Sequence, residues 1–210
     1  MAFLACGDFC GESVLRKAGL SGTHPLTRRY VSTHSFYSVA QVIIEVYMID
    51  PTEWICNKED TYASLSPEEK KAIGEFFLIW SYFESQVLNC NANRTSFSNL
   101  ANNLQNSEKI SEIGLNELVT YFKERYLSGG SFNDRYDALE LEKSRNPPEV
   151  DAMLLEDSTD QVTKLVGCLF VVYRFRNNLF HGPKWRYKLS EQESNMTKAC
   201  QFMIKIIDNT

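Results

Sequence analysis

Two stretches of the chain constrain its fold more than any other. They are "SPEEKKAIGEFFLIWSYFESQVLN", residues 66–89, and "STDQVTKLVGCLFVVYRFRNNLFHG", residues 158–182. Each is apolar at helical spacing, and each carries a charge where an aliphatic side chain is expected. In the first, Ile73, Phe77, Trp80, Glu84 and Val87 recur at helical steps, with Phe76 and Phe83 widening the stripe. In the second, Val162, Val166, Leu169, Tyr173, Arg176 and Phe180 form the matching stripe. A charge buried alone is costly, so the economical arrangement lays two long helices antiparallel with Glu84 against Arg176.

The boundaries of these helices are legible. Ser66, Pro67 and Glu69 supply an N-cap, a proline at the first helical position and the reciprocal acid of a capping box. Ser158 and Gln161 read the same way, and Gly182-Pro183 must end the helix they open. "SEQE", residues 190–193, opens another helix. "SEKISEIGLNELVTYFKERYL" predicts a helix from Ser107 to Leu127 that stops at Gly129-Gly130. The stretch that follows predicts a short helix and then a break at Pro147-Pro148. An all-α bundle results, occupying residues 61–210. Residues 1–60 read as an N-terminal extension. Within it, "HSFYSVAQVIIEVYMID" is apolar on nearly every side and favours a helix over a strand, and the first 30 residues read as a loosely packed arm.

At 210 residues and 43% hydrophobic content the chain can bury a substantial core. No run approaches the ~20 apolar residues of a membrane span, and the N-terminus lacks a charged region followed by an apolar one. The expectation is a soluble cytoplasmic protein without a membrane partner. Cysteines 6, 10, 56, 90, 168 and 200 are scattered and reach no zinc-site spacing, so reduced thiols and no metal or cofactor are expected.

Charge is informative where it is local. The chain sums to -5, yet Lys164, Arg174, Arg176, Lys184, Arg186 and Lys188 stand in residues 161–190 without one acidic residue, which leaves the remainder at -11. Such asymmetry draws a polyanion to one face. Arg174 belongs to this patch, and "KWRYK" interleaves Lys184, Arg186 and Lys188 with Trp185 and Tyr187, a composition suited to phosphate contact and base stacking. A plain surface loop over the bundle end has the same composition. His181 lies one helical turn beyond Asn177, so the amide is placed to orient the imidazole. The helix C-terminus favours its protonated form and the neighbouring arginines oppose it, which keeps proton transfer near neutrality in reach. An adjacent arginine stabilises charge on a phosphate undergoing substitution.

"RNNLFH", Arg176 to His181, at a helix end and followed by Gly182, resembles the R-x4-6-H motif of the HEPN superfamily. The wider phrase "FRNNLFHG" is most similar to its Apea-like and abortive-infection branches, and "FFLIWSYFE" resembles the preceding long helix of such domains. "RYVSTH", Arg29 to His34, fits the same spacing but has Tyr30 after the arginine and no Gly-Pro stop. The resemblance covers residues 66–208. It implies a dimerising helical bundle and metal-independent endoribonuclease activity, in which the ribose 2′-OH attacks the adjacent phosphate to leave a 2′,3′-cyclic phosphate and a 5′-OH. By that resemblance Arg176 and His181 form the catalytic pair, Asn177 orients, and Glu84 supports Arg176. It further implies RNA as substrate, a homodimer with a composite site, a role as toxin or anti-phage effector, and an antitoxin or regulatory partner. A silent HEPN-like module binding a nucleotide, RNA or a protein remains the alternative.

The composite cleft predicts that light scattering after size exclusion reads twice the 24.1 kDa chain mass. A purely monomeric peak removes the two-motif site.

Overall fold

The computed structural model describes residues 49–157, 159–180 and 192–210. The chain divides into two units, Met1–Trp54 and Ile55–Thr210, with the division inside a short helix, α1 (Pro51–Cys56). The expected arm, the helix over residues 34–50 but for its last two, and the decoy motif lie outside the described residues. The second unit is mostly helical, as expected of an all-α chain.

After a single turn, α2 (Asp60–Ala63), comes α3 (Pro67–Gln86) with the predicted cap. The Ser66 hydroxyl accepts from the Glu69 N–H at 3.0 Å, and the Glu69 carboxylate accepts from the Ser66 N–H at 3.0 Å. Its buried face is Ala72, Ile73, Phe76, Trp80 and Phe83, which leaves Glu84 and Val87 on the margin.

Helix α4 (Arg94–Asn106) has no counterpart in the sequence reading, because its serines and asparagines mask it. Phe97, Leu100, Ala101 and Leu104 nevertheless bury one face at helical spacing, behind a capping box of Asn93 and Ser96. The predicted helix over Ser107–Leu127 divides in two. A 3-10 turn (Ile110–Ile113) leads to Gly114 at φ +70°, and α5 (Leu115–Tyr126) follows. A side chain at Gly114 would strain the left-handed backbone and meet the Lys205 ammonium at 2.8 Å.

Gly129 and Gly130, expected as a helix stop, instead turn a small hairpin. Strand β1 (Leu127–Ser128) pairs antiparallel with β2 (Ser131–Phe132), with Leu127 opposite Phe132. Both glycines hold positive φ, 59° and 82°, as a two-residue turn of matching twist demands. The expected short helix is α6 (Asp134–Asp137), followed by a 3-10 turn (Leu141–Ser144). Pro147-Pro148 is not a mere break: Pro148 opens α7 (Pro148–Leu155).

Helix α8 (Gln161–Phe180) is the centre of the bundle, packed by α7, α4 and α5. Residues 165–172 are buried without interruption. Its many β-branched residues are modest helix formers, so packing rather than propensity stabilises it. Its N-terminus is capped by Asp160, whose carboxylate accepts from the Thr163 N–H at 3.0 Å and hydroxyl at 2.7 Å. The expected cap, Ser158, and Ser190 before the last helix lie outside the described residues. That helix, α9 (Glu193–Asn209), is the main partner of α3.

The two stripe-bearing helices therefore do not pair along their length. They touch through Trp80 on Tyr173 and Glu84 beside Arg176. These contacts advance in the same sense along both helices, not in the antiparallel order expected. Among the described residues no helix is long and apolar enough to cross a membrane.

Gly167 lets α7 ride on α8: a Cβ there would lie 2.7 Å from the Glu149 carbonyl oxygen and 3.1 Å from the Met153 sulfur. Gly167→Ala is expected to destabilise by about 1–3 kcal/mol despite the better helix propensity of alanine. A melt followed by circular dichroism should show Tm lowered by several degrees, and an unchanged or raised Tm contradicts the close approach.

Candidate functional site

Beyond Val172 the central helix changes character. Arg174, Phe175, Asn178 and Leu179 stay buried, while Tyr173, Arg176 and Asn177 are half-open. The open face borders a pocket of about 320 Å³, which Lys143 of the 3-10 turn after α6, Glu140 just before that turn, Arg174 and Asn178 also line. Three cations and one carboxylate line it. Near a helix C-terminus the backbone dipole disfavours anions, so this excess of cations is what makes the pocket fit for one.

Arg176 is held from two sides. Its Nη2 lies 3.9 Å from Glu84 Oε2, and its Nη1 donates to the Asn177 amide oxygen at 3.0 Å. The Glu84 oxygen also accepts from the Trp80 indole N–H at 2.8 Å, so the carboxylate joins an aromatic core residue to the arginine. The pair is less desolvated than its sequence positions suggest, with the two side chains 25% and 23% exposed. A contact of that length and exposure contributes about 1 kcal/mol. The Asn177 oxygen is thereby engaged with Arg176.

Tyr173 is set by aromatic neighbours. Its ring centroid is 6.0 Å from that of Trp80 and 5.9 Å from that of Phe97, edge-on to the latter. Phe97 in turn meets Phe170 edge-to-face at 5.2 Å. Packing on both sides leaves the tyrosine one orientation at the pocket wall.

Arg174 corrects the sequence reading. Expected to contact RNA, it is only 3% exposed. Its Nε donates to the Leu139 carbonyl at 2.7 Å, its Nη2 donates to Asn178 Oδ1 at 2.8 Å, and Glu140 Oε2 lies 3.4 Å away. The Asn178 amide donates to the Ala138 carbonyl at 3.2 Å. Burial pulls the guanidinium pKa down, and Glu140, then Glu142, pull it back. The residue ties α8 to the segment before α7. Arg174 rather than Arg176 is the buried charge of this helix.

Of the residues singled out in the sequence, Arg176, Asn177 and Glu84 come together here. His181, Lys184, Trp185, Arg186, Tyr187 and Lys188 lie outside the described residues. The sequence reading missed Lys143, Glu140 and Asn178, and it assigned Tyr173 only to the apolar stripe. The i,i+4 spacing of Arg174 and Asn178 was a usable signal, because such a pair hydrogen-bonds along one helix face. Nothing local marked Lys143. Comparison of the chain with protein-family models, with curated proteins and with solved structures finds no match.

The geometry separates two arginines two residues apart. Arg174→Ala strands a buried carbonyl, an amide and a carboxylate, and is expected to cost about 3 kcal/mol in urea unfolding. Arg174→Lys should recover little, since lysine lacks the planar fork. Glu84→Ala should cost about 1 kcal/mol. Equal losses for Arg174→Ala and Glu84→Ala would contradict the assignment.

Proposed function

We propose that the protein is a metal-independent endoribonuclease of the HEPN type, acting on RNA in the cytoplasm as a homodimer. Its biological role on this reading is that of a growth-arresting toxin or anti-phage effector restrained by a partner protein. The observation that carries the reading is Arg176, braced by Glu84 and Asn177 on an open, cation-rich pocket at the end of the central helix. A guanidinium oriented in this way offers two N–H donors to a phosphate and neutralises charge that develops as the phosphorus becomes five-coordinate.

The reaction needs little else from the protein. His181, the residue that follows α8 in the sequence, removes the proton from the ribose 2′-OH. The oxygen then attacks the neighbouring phosphorus, forming the 2′,3′-cyclic phosphate as the P–O5′ bond breaks. The departing 5′ oxygen takes a proton from a second acid, which the partner's copy of the motif supplies in a composite site. Glu84 limits the freedom of Arg176 without touching RNA.

Purified protein incubated with RNA and EDTA tests this directly. Products should carry a 5′-OH, accessible to a polynucleotide kinase without prior phosphatase, and a cyclic 3′ end. Arg176→Ala and His181→Ala should each lower the rate by about a hundredfold or more. Cleavage that persists in His181→Ala, or that stops with the chelator, overturns the mechanism. RNA bound but left intact favours the silent binding module.

A further inference from the structure

We propose that the segment 138–146 is the second wall of the RNA site, with Lys143 as a phosphate-binding residue and Glu140 as an internal anion that RNA displaces. The inference rests on the nuclease reading only for the identity of the ligand as RNA.

The first observation is the way the segment is held. Glu140, Arg145 and Asn146 have positive φ of 54°, 61° and 42°, although none is glycine. Each such residue stores conformational strain, which persists only where surrounding contacts over-determine the backbone. Here Arg174 and Asn178 hold the Leu139 and Ala138 carbonyls, and Leu141 is buried in the core at 4% exposure. A loop built only to connect α6 with α7 needs no such clamp on α8.

The second observation is what the clamp presents. Lys143 sits on the 3-10 turn with its side chain 54% exposed, lining the same pocket that Arg176 and Asn177 line from α8. Cations from two separate elements lining one open pocket, with the packed ring of Tyr173 in the same lining, suit a single strand that lays its phosphates on the cations and its sugar-base surface against the ring.

The third observation is the present occupant. Glu140 Oε2 lies 2.7 Å from Lys143 Nζ and 3.4 Å from Arg174 Nη2, so one carboxylate oxygen sits between two of the three pocket cations. It stands where an anionic ligand would stand. Half-exposed lysine pairs are weak and lysine side chains are mobile, so a phosphate can replace the carboxylate at Lys143 while Arg174 keeps its backbone and amide partners.

The test is binding of short, mixed-sequence 2′-O-methyl RNA, which cannot be cleaved by 2′-OH attack, measured by fluorescence anisotropy between about 50 and 200 mM salt. Lys143→Ala should lower the slope of log K against log salt by about 0.7 and weaken binding about fivefold at about 0.1 M salt, whereas Lys143→Arg retains both. Glu140→Gln, which keeps an oxygen for Arg174, should tighten binding about twofold by freeing Lys143. Wild-type slope and affinity in Lys143→Ala, or a wild-type protein that does not bind, overturns the proposal. Unchanged or weaker binding in Glu140→Gln with a wild-type melting curve removes the displaceable anion. Cleavage of unmodified RNA, followed in parallel, separates the two readings. Lys143-dependent binding without cleavage refutes the nuclease and keeps the subsite, and cleavage with Lys143-independent binding does the reverse.

Discussion

A buried guanidinium joins the core of this protein to its polar pocket. Arg174 leaves the central helix among apolar neighbours and reaches across to the Leu139 carbonyl, with Asn178 one turn along gripping Ala138. Desolvating an arginine is expensive, and the cost is offset only because its donors meet a carbonyl, an amide oxygen and a carboxylate. An apolar side chain of similar volume would fill the space at less cost but would not specify where the segment 138–146 lies. That segment carries Glu140 and Lys143, so the position of the pocket lining outside α8 depends on this contact.

The central helix performs two tasks along its length. Through residues 165–172 it is buried all round and takes the packing of three other helices. One turn later its faces separate, Phe175 and Leu179 continuing the core while Tyr173, Arg176 and Asn177 open to the pocket. Side chains on a rod packed so tightly have little freedom to drift, so the polar groups of the pocket are preorganised. Glu84 extends the same logic to α3, because its oxygen is shared by the Trp80 indole and Arg176.

Much of the helical content was legible. The capping box at Ser66 and Glu69 and the apolar spacing of α3 and α8 are local patterns, and local patterns survive into the fold. Helix α4 escaped because asparagine and serine outnumber its apolar residues, and its four buried side chains become a core only when α8 is present. Gly114 split a predicted helix through a left-handed turn that helical periodicity does not register. Arg176 and Asn177 in the pocket, and Glu84 beside Arg176, stood out because charges and amides interrupt apolar runs. Lys143 did not, since a lysine in a charged loop looks like any solvated lysine.

The amino-acid order alone settled that this is a helical protein, where its principal helices run, and that Glu84 and Arg176 interrupt their apolar faces, because capping and periodicity act over a few residues. Which charge is buried, which way the helices approach, and which loop faces Arg176 were settled by long-range packing. Arg174 and Arg176 are two residues apart and chemically identical, and a helix turns about 200° between such positions. One therefore points into the Leu139 backbone and the other into an open pocket, a difference that exists only once the segment 138–146 and α7 are folded against the central helix.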